Sequence, residues 1–410
     1  MGDRKRFGMV SSVAAAIMGF TAIGAQAFVG GGQSTSPMVQ GENAFGFALL
    51  RAVDSHGGNV FVSPLSIGQA MTMLDDGAAG ATRAQISQAL GVSGMDSDAV
   101  NRQSNALGGD LQSADPGVEL SIANALWADQ HISFLPTYTQ TCLSVFGANS
   151  SSLDFADPSA AQTINSWVKA HTDGKIDAIV TADSIRRASA VLTDAVYFHG
   201  KWRSTFNKGA TQEGPFTTAS GSTPNLPMME QTHLFPVLQN DQFQAVKLPY
   251  GNGRISMFIV LPRSGQSVDS IAANLSAEQW DSWMSTMAIA RVDLTLPRFH
   301  VDFSASLVSA LKSLGITDAF ERHDADFSGM SQTPMFVSDV EHKTTLDVDE
   351  SGTTATAATA ITMMPTMAMP VMGPPIVIRV DHPFLCAIVD NQTGAVLFVG
   401  LIRNPQELQQ

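Results

Sequence analysis

The chain carries nine histidines, two cysteines and many serines and carboxylates, so the first question is whether any are spaced for chemistry. No two histidines stand three or four residues apart, which removes the helical spacing that brings two imidazoles to one metal ion. There is no Gly-x-Ser-x-Gly, no His-Glu-x-x-His, no phosphate-cradling glycine loop and no Cys-x-x-Cys. Serine, histidine and aspartate are all available for a triad, but no local context marks one serine as a nucleophile. GNGRIS at Gly251 opens like a dinucleotide fingerprint, lacks its third glycine, and reads as a hairpin turn. Cys142 and Cys386 could pair in an oxidising compartment, yet two thiols do not make a disulfide framework. The residue types point to no catalytic group, metal or cofactor.

One stretch stands apart from this search. DESGTTATAATAITMMP, Asp349 to Pro365, holds one glycine, then almost only threonine and alanine, then methionines. It is too bland for a catalytic loop and lacks the large apolar residues of a core strand. In isolation it also fits a flexible linker.

The elements around it change character along the chain. In AAQTINSWVKAHTDGKI, Ile164, Trp167, Val168 and His171 fall on one helical face, and Gly174 ends the pattern. Ser63-Pro64 opens a further helical stretch, with a break at Gly77 and Gly80. The first half therefore reads mostly as helix, and strands follow. RVDLTLPRF alternates Val292, Leu294 and Leu296 with polar residues, while ISMFIVLP and AVLFVGLI are short apolar runs of the buried-strand type. Helix-rich sequence followed by strand-rich sequence, without a βαβ rhythm, predicts one α+β domain.

The N-terminus has Arg4, Lys5 and Arg6, then an apolar stretch from Met9 to Ile23, then Ala25-Gln26-Ala27. That is the three-part pattern of a secretory signal peptide over residues 1–27, with a flexible segment expected at 28–43 and the domain at 44–410. Removing 1–27 takes away three positive charges and one negative, moving the formal charge from −14 to −16. Such a surface argues against nucleic acid, whose phosphates need Lys and Arg, and against anionic membranes. No later apolar run is long enough to cross a bilayer. The expectation is a monomer, secreted or periplasmic.

Ten collinear motifs then resemble one family, the serpins (serine protease inhibitors), in an exported, bacterial-type form, from about Ala44 to Pro405. They are NVFVSPLSI, GAAGATRAQI, ANALW, INSWVKAHTDGKI, VYFHGKW, LPRF, LGITDAF, ADFSGM, VEHKTTLDVDESGTTATAATA and DHPFLCAIVDNQTGAVLFVGLIRNP. The resemblance implies the serpin fold: helices packed around a large mixed central sheet plus smaller sheets, with an exposed reactive-centre loop over about 350–380. It also implies a suicide mechanism without catalytic residues of its own. A protease cuts the loop, becomes esterified to it, and is trapped as the loop inserts into the large sheet. The hinge positions implied are Glu350, Gly352, Thr353, Ala355, Ala357 and Thr359. Such a segment must serve first as a solvated loop and then as a central strand. Alternate residues then face the core, and small ones enter without overpacking. Gly352 lets the backbone reorganise, and no proline before Pro365 withholds an amide from the ladder. Thr354 departs from the glutamate of many members, on the side expected to face solvent. The uniformly small hinge favours an inhibitor over the alternative, a non-inhibitory member acting as a binding or storage protein.

Three countings of the scissile bond stay open. Counting forward from Gly352 gives Thr366–Met367, counting back from Pro383-Phe384 gives Met372–Gly373, and anchoring on Pro374-Pro375 gives Val371–Met372. The forward count is favoured because it sets the length of strand to be inserted. No Lys or Arg occurs between Lys343 and Arg379, so a trypsin-like pocket has nothing to hold. Methionines at 363, 364, 367, 369 and 372, with Val371, suit elastase-, chymotrypsin- or subtilisin-like serine proteases; papain-like cysteine proteases are a second class compatible with them.

Ser63, Ser66 and His342 match the cluster that latches the sheet where it opens in this family. Asp194 stands in TDAVYFHG where the family usually has asparagine. Two arrangements stay open: Asp194 accepting backbone and serine hydrogen bonds beside a neutral His342, or an Asp194–His342 ion pair.

Overall fold

The computed structural model describes residues 35–54, 57–112, 114–353 and 373–407. The expected signal peptide, the hinge residues Ala355, Ala357 and Thr359, and the bond candidates Thr366, Met367, Val371 and Met372 lie outside these residues. The helices are α1 (Pro37–Val53), α2 (Pro64–Gly77), α3 (Gly80–Ala89), α4 (Ser97–Gln112), α5 (Pro136–Phe146), α6 (Ser159–His171), α7 (Ala182–Ile185), α8 (Val268–Asn274), α9 (Ala277–Thr286) and α10 (Val308–Ser313). The strands are β1 (Val60–Val62), β2 (Val118–Asp129), β3 (Asn149–Leu153), β4 (Ala190–Lys201), β5 (Gln212–Pro215), β6 (Asn225–Gln239), β7 (Phe243–Pro249), β8 (Ile255–Pro262), β9 (Ala288–Pro297), β10 (Phe299–Ser306), β11 (Val337–Asp349), β12 (Gly352–Thr353), β13 (Ile376–Arg379), β14 (Phe384–Asp390) and β15 (Val396–Ile402).

Local rules account for many of these boundaries. Ser63 caps α2, its hydroxyl accepting from the Ser66 amide, and Pro64 fills the first helical position, where an amide is not needed. Gly77 closes that helix and Gly80, in a left-handed conformation, opens the next. GNGRIS is a hairpin turn between β7 and β8, with Gly251 and Gly253 at positive φ and the Tyr250 amide donating to the Ile255 carbonyl. Two expectations are corrected. The flexible segment at 28–43 gives way to helix from Pro37, capped by Ser36. The first half is also less helical than its composition suggests, because β2 and β4 each run twelve residues. Both are buried on two faces over much of their length, so the alternating pattern that marks a half-exposed strand is missing.

The strands form two sheets, and with the helices packed on them the fold is α+β, as expected. One sheet has nine strands, in the order β1-β15-β14-β8-β7-β6-β9-β13 with β5 on β6. A six-stranded sheet runs β10-β11-β12-β4-β2-β3. On one face of this sheet Ala123, Ala125, Val191 and Ala195 pack against Ile164 and Val168 of α6. The opposite face meets the main cores, where α2 lies beneath the β2–β4 pair.

Candidate functional site

The centre of the six-stranded sheet is a seam between two parallel strands. β11 pairs directly with β4 from Val337 opposite Ala190 to Thr345 opposite Tyr197. Beyond that point the chain turns at Glu350-Ser351 and re-enters the sheet as β12, antiparallel to both neighbours. Thr353 lies opposite Val348 on one side and Gly200 on the other. The seam is thus closed along most of its length and wedged at one end by two residues of the small-residue stretch.

That wedge is held tightly. Gly352 has φ of 149°, and a β-carbon there would lie 2.1 Å from the Gly200 carbonyl oxygen. Only glycine fits. The Asp349 carboxylate accepts from the amides of Ser351 (2.7 Å) and Gly352 (3.1 Å), fixing the turn. Trp202 donates its amide to the Ser351 carbonyl (2.9 Å) and its indole N–H to that of Asp349 (2.8 Å). Glu350 is buried and accepts from Arg298 Nε (2.8 Å) and the Thr211 hydroxyl. Burial alone would raise its pKa, but the hydrogen bonds from Arg298 and Thr211 outweigh that and hold the carboxyl below its usual range. Thr353 is fully buried, its hydroxyl 2.8 Å from that of Tyr250, whose ring stacks on Trp202 at 4.4 Å.

Farther down the seam, three polar residues stand in one row across three strands. Asn124 of β2 lies opposite Asp194 of β4, and Asp194 opposite His342 of β11, so all three share a face. The first turn of α2 meets them from below. Ser66 donates its hydroxyl to Asp194 Oδ1 (2.5 Å), with Asn124 Oδ1 a more distant acceptor at 3.5 Å, and the Ser66 carbonyl accepts from Asn124 Nδ2 at 3.1 Å. His342 Nδ1 lies 3.2 Å from Asp194 Oδ2, and His342 Nε2 accepts from the Ser63 amide at 3.4 Å. Ser63 and Thr344 extend the network, donating to the carbonyls of Leu397 (2.7 Å) and Phe61 (2.6 Å). Ser63, Ser66, Asp194 and His342 are wholly inaccessible to solvent, and Asn124 nearly so.

This geometry bears on the two arrangements left open for Asp194. A donor faces Nε2 and an acceptor faces Nδ1, which is the pattern of a neutral ring carrying its proton on Nδ1. Asp194 also accepts from Ser66, so both carboxylate oxygens are engaged. Residue spacing alone did not single out Asn124. Its signal is a lone amide in the alanine- and leucine-rich run ANALW. Arg298 and Thr211, which hold Glu350, lie in segments that carried no hinge signal.

The structure brings Ser63, Ser66, Asp194 and His342 together and gathers Glu350, Gly352 and Thr353 at the wedge. Gly373 is exposed and separate, three residues before β13. Cys142 and Cys386 are buried and free, and burial pushes the Cys142 thiol up to about 11 and raises that of Cys386 further. Among the described residues no group of three or more His, Cys, Asp or Glu side chains could hold a metal ion. Nor is any helix among them long and apolar enough to cross a membrane.

Residues 40–405 match the family described as Serpin (serine protease inhibitor). The leukocyte elastase inhibitor of Equus caballus is 34% identical over 375 residues, covering 88% of this chain and 97% of the relative. Iripin-2 of Ixodes ricinus is 34% identical over 383 residues, covering 90% and 94%. Among solved structures, the thermophilic serpin tengpin in its native state superimposes with a TM-score of 0.81 at 26% identity, covering 89% of this chain and 94% of that one. A thyroxine-binding globulin complex with thyroxine gives 0.81 at 27% identity, covering 91% and 100%. The chain belongs to the serpin family.

Proposed function

We propose that this serpin is a suicide inhibitor of elastase-, chymotrypsin- or subtilisin-like serine proteases, exported after removal of residues 1–27. The observation that carries the reading is the wedge: β12 already runs antiparallel to both β11 and β4, as a strand inserting between them must. Continuing its register brings Ala355 opposite Leu346 and Phe198, Ala357 opposite Thr344 and Val196, and Thr359 opposite His342 and Asp194. Each of these residues then faces the same side as buried Thr353, where only small side chains fit.

In this reading the protease's serine oxygen attacks the carbonyl of the scissile bond, with Thr366–Met367 the favoured site. The peptide C–N bond breaks, an ester to the serine forms, and the new amine takes a proton and leaves. Insertion exchanges one parallel pairing for two antiparallel ones. About ten inserted residues gain roughly ten ladder hydrogen bonds at ~1 kcal/mol each, comparable to the ~5–15 kcal/mol stability of a whole domain. The uninserted protein is therefore held by a barrier. The latch supplies part of that barrier, because parting β4 from β11 separates Asp194 from His342. The Thr359 hydroxyl, arriving between them, can donate to the carboxylate and accept from Nδ1–H, which repairs both. A protease dragged along and misplaced by about 1 Å loses roughly a hundredfold in rate, so the ester persists.

The test mixes the protein with chymotrypsin-like, elastase-like and subtilisin-like proteases and runs denaturing electrophoresis. A detergent-stable complex, with a released C-terminal fragment whose mass gives its first residue, supports the reading. Cleavage by each of them with no complex would overturn it in favour of a non-inhibitory binding or storage role. Export is checked by the mass of the secreted protein, expected to begin near Phe28.

A further inference from the structure

The 354–372 segment rejoins the described fold at Gly373, just before β13. β13 lies at the sheet edge, parallel to β9, with Ile376 opposite Val292 and Val377 opposite Asp293. Continuing that register brings Gly373 level with Ile289. Val292, Leu294 and Ile378 are fully buried, so Ile289, Arg291, Asp293 and Val377 share the outer face. Ile289 is 65% exposed and Val377 62%; with Leu143 they are the large apolar side chains left exposed among the described residues. A single exposed aliphatic needs no explanation. Two on one face, at the point where the bait segment ends, call for one. On β6, half-buried Pro236 and Leu234 lie opposite Ile289 and Arg291 and widen the apolar strip. Arg291 is itself exposed, a positive charge on a chain of formal charge −14.

We propose that this outer face of β9 and β13 is a docking surface for the body of the serine protease whose active site holds the 354–372 segment. The inference rests on the reading of the preceding section. Reach supports it. Thr366 is seven residues from Gly373, so the favoured scissile bond lies within about 25 Å of Gly373, and about 30 Å of Ile289 on the neighbouring strand, even with the chain fully extended. A protease of ~230 residues has a radius of gyration of about 17 Å, so its surface beside the cleft can reach this face. The partner surface that fits is apolar with an acidic rim. Ile289 and Val377 supply contact, and Arg291 steers an acidic group against the repulsion of the rest of the chain.

The experiment uses the full chain and proteases chosen because they cut it within 354–372. Second-order rate constants of cleavage and of trapping are measured for the parent, for Ile289→Asp/Val377→Asp, and for Arg291→Glu. These side chains are exposed, and unchanged thermal midpoints verify that folding is intact. The expected result is a fall of about tenfold for the double variant with unchanged stoichiometry of inhibition. Arg291→Glu should lose severalfold at low ionic strength and less at high salt. Rates within twofold of the parent for every protease would overturn the proposal. So would a concentration-dependent dimer of the parent that the double variant abolishes while its rates stay the same, which would give this face to a second copy of the chain. A parent that is cut but never trapped would refute the inhibitory reading, while its cleavage rates would still decide the surface.

Discussion

Replacing Asp194 separates the two things a carboxylate brings to the latch, its charge and its two acceptor oxygens. In the structure Oδ1 accepts from the Ser66 hydroxyl and Oδ2 from His342 Nδ1. Asp194→Asn keeps one acceptor and turns the other into a donor. Ser66 can absorb that change, because a hydroxyl both donates and accepts, and Asn124 Oδ1 stands 3.5 Å away as an alternative acceptor for its proton. Every buried group stays satisfied, so the cost should be below about 1 kcal/mol. Asp194→Ala has no such escape. His342 loses the acceptor for Nδ1–H, and the other tautomer would aim Nε2–H at the Ser63 amide, donor against donor. One orphaned buried donor plus the vacated volume should cost about 2–4 kcal/mol. Urea unfolding followed by tryptophan fluorescence suits the measurement, since Trp127 lies on β2 and Trp202 at the end of β4. The alanine variant should also insert its loop more readily, because the seam opens with one fastening fewer. The reasoning fails if Asp194→Asn is destabilised as much as Asp194→Ala. That result would mean the site needs the negative charge itself, and hence a protonated His342 opposite it.

Three further outcomes follow from the geometry. Gly352→Ala places a β-carbon against the Gly200 carbonyl at a φ that L-residues avoid, so the wedge should be expelled at about 1–3 kcal/mol; stoichiometry of inhibition should rise above that of the parent, and an unchanged value would show that the wedge does not help insertion start. His300, hydrogen-bonded to Asp347 and Asp302, has its pKa raised to about 9, chiefly by Asp347. Because the folded value exceeds the unfolded one of about 6.5, this contribution is complete below pH ~6.5 and disappears as pH rises through about 9; His300→Gln should flatten stability across that window, and a parent profile already flat there would refute it. Arg298→Ala leaves the buried Glu350 carboxylate without its cation and should cost about 1–3 kcal/mol at neutral pH, less in acid where Glu350 can protonate, as denaturation at pH 7 and pH 4 would reveal.

How much of this could be read from the chain depended on how local the cause was. Ser63-Pro64, the Gly77/Gly80 break and the GNGRIS turn are set by capping and by positive φ, and their residues say so directly. Ser63, Ser66, Asp194 and His342 were legible by resemblance, but the row that joins Asp194 and His342 to Asn124 above the first turn of α2 depends on the registers of β2, β4 and β11, which pair residues more than sixty positions apart. β2 and β4 were read into a mostly helical half, because burial on both faces erased the alternation that would have marked them. Asn124 and Arg298 stayed hidden for a related reason: each matters through a partner that only tertiary structure supplies. The wedge itself was implied as a hinge, but its entry into the sheet rests on the close approach of Gly352 to Gly200, which no sequence pattern carries.

The central claim is that the segment after Thr353 completes a strand between β11 and β4. It is tested most directly by calorimetry of the intact protein and of the same protein cut once within 354–372. Some ten new ladder hydrogen bonds should raise the unfolding midpoint of the cut form by about 10 °C or more. A cut protein that melts at or below the temperature of the intact one would contradict the account, because the wedge would then be the full extent of what this sheet can accept.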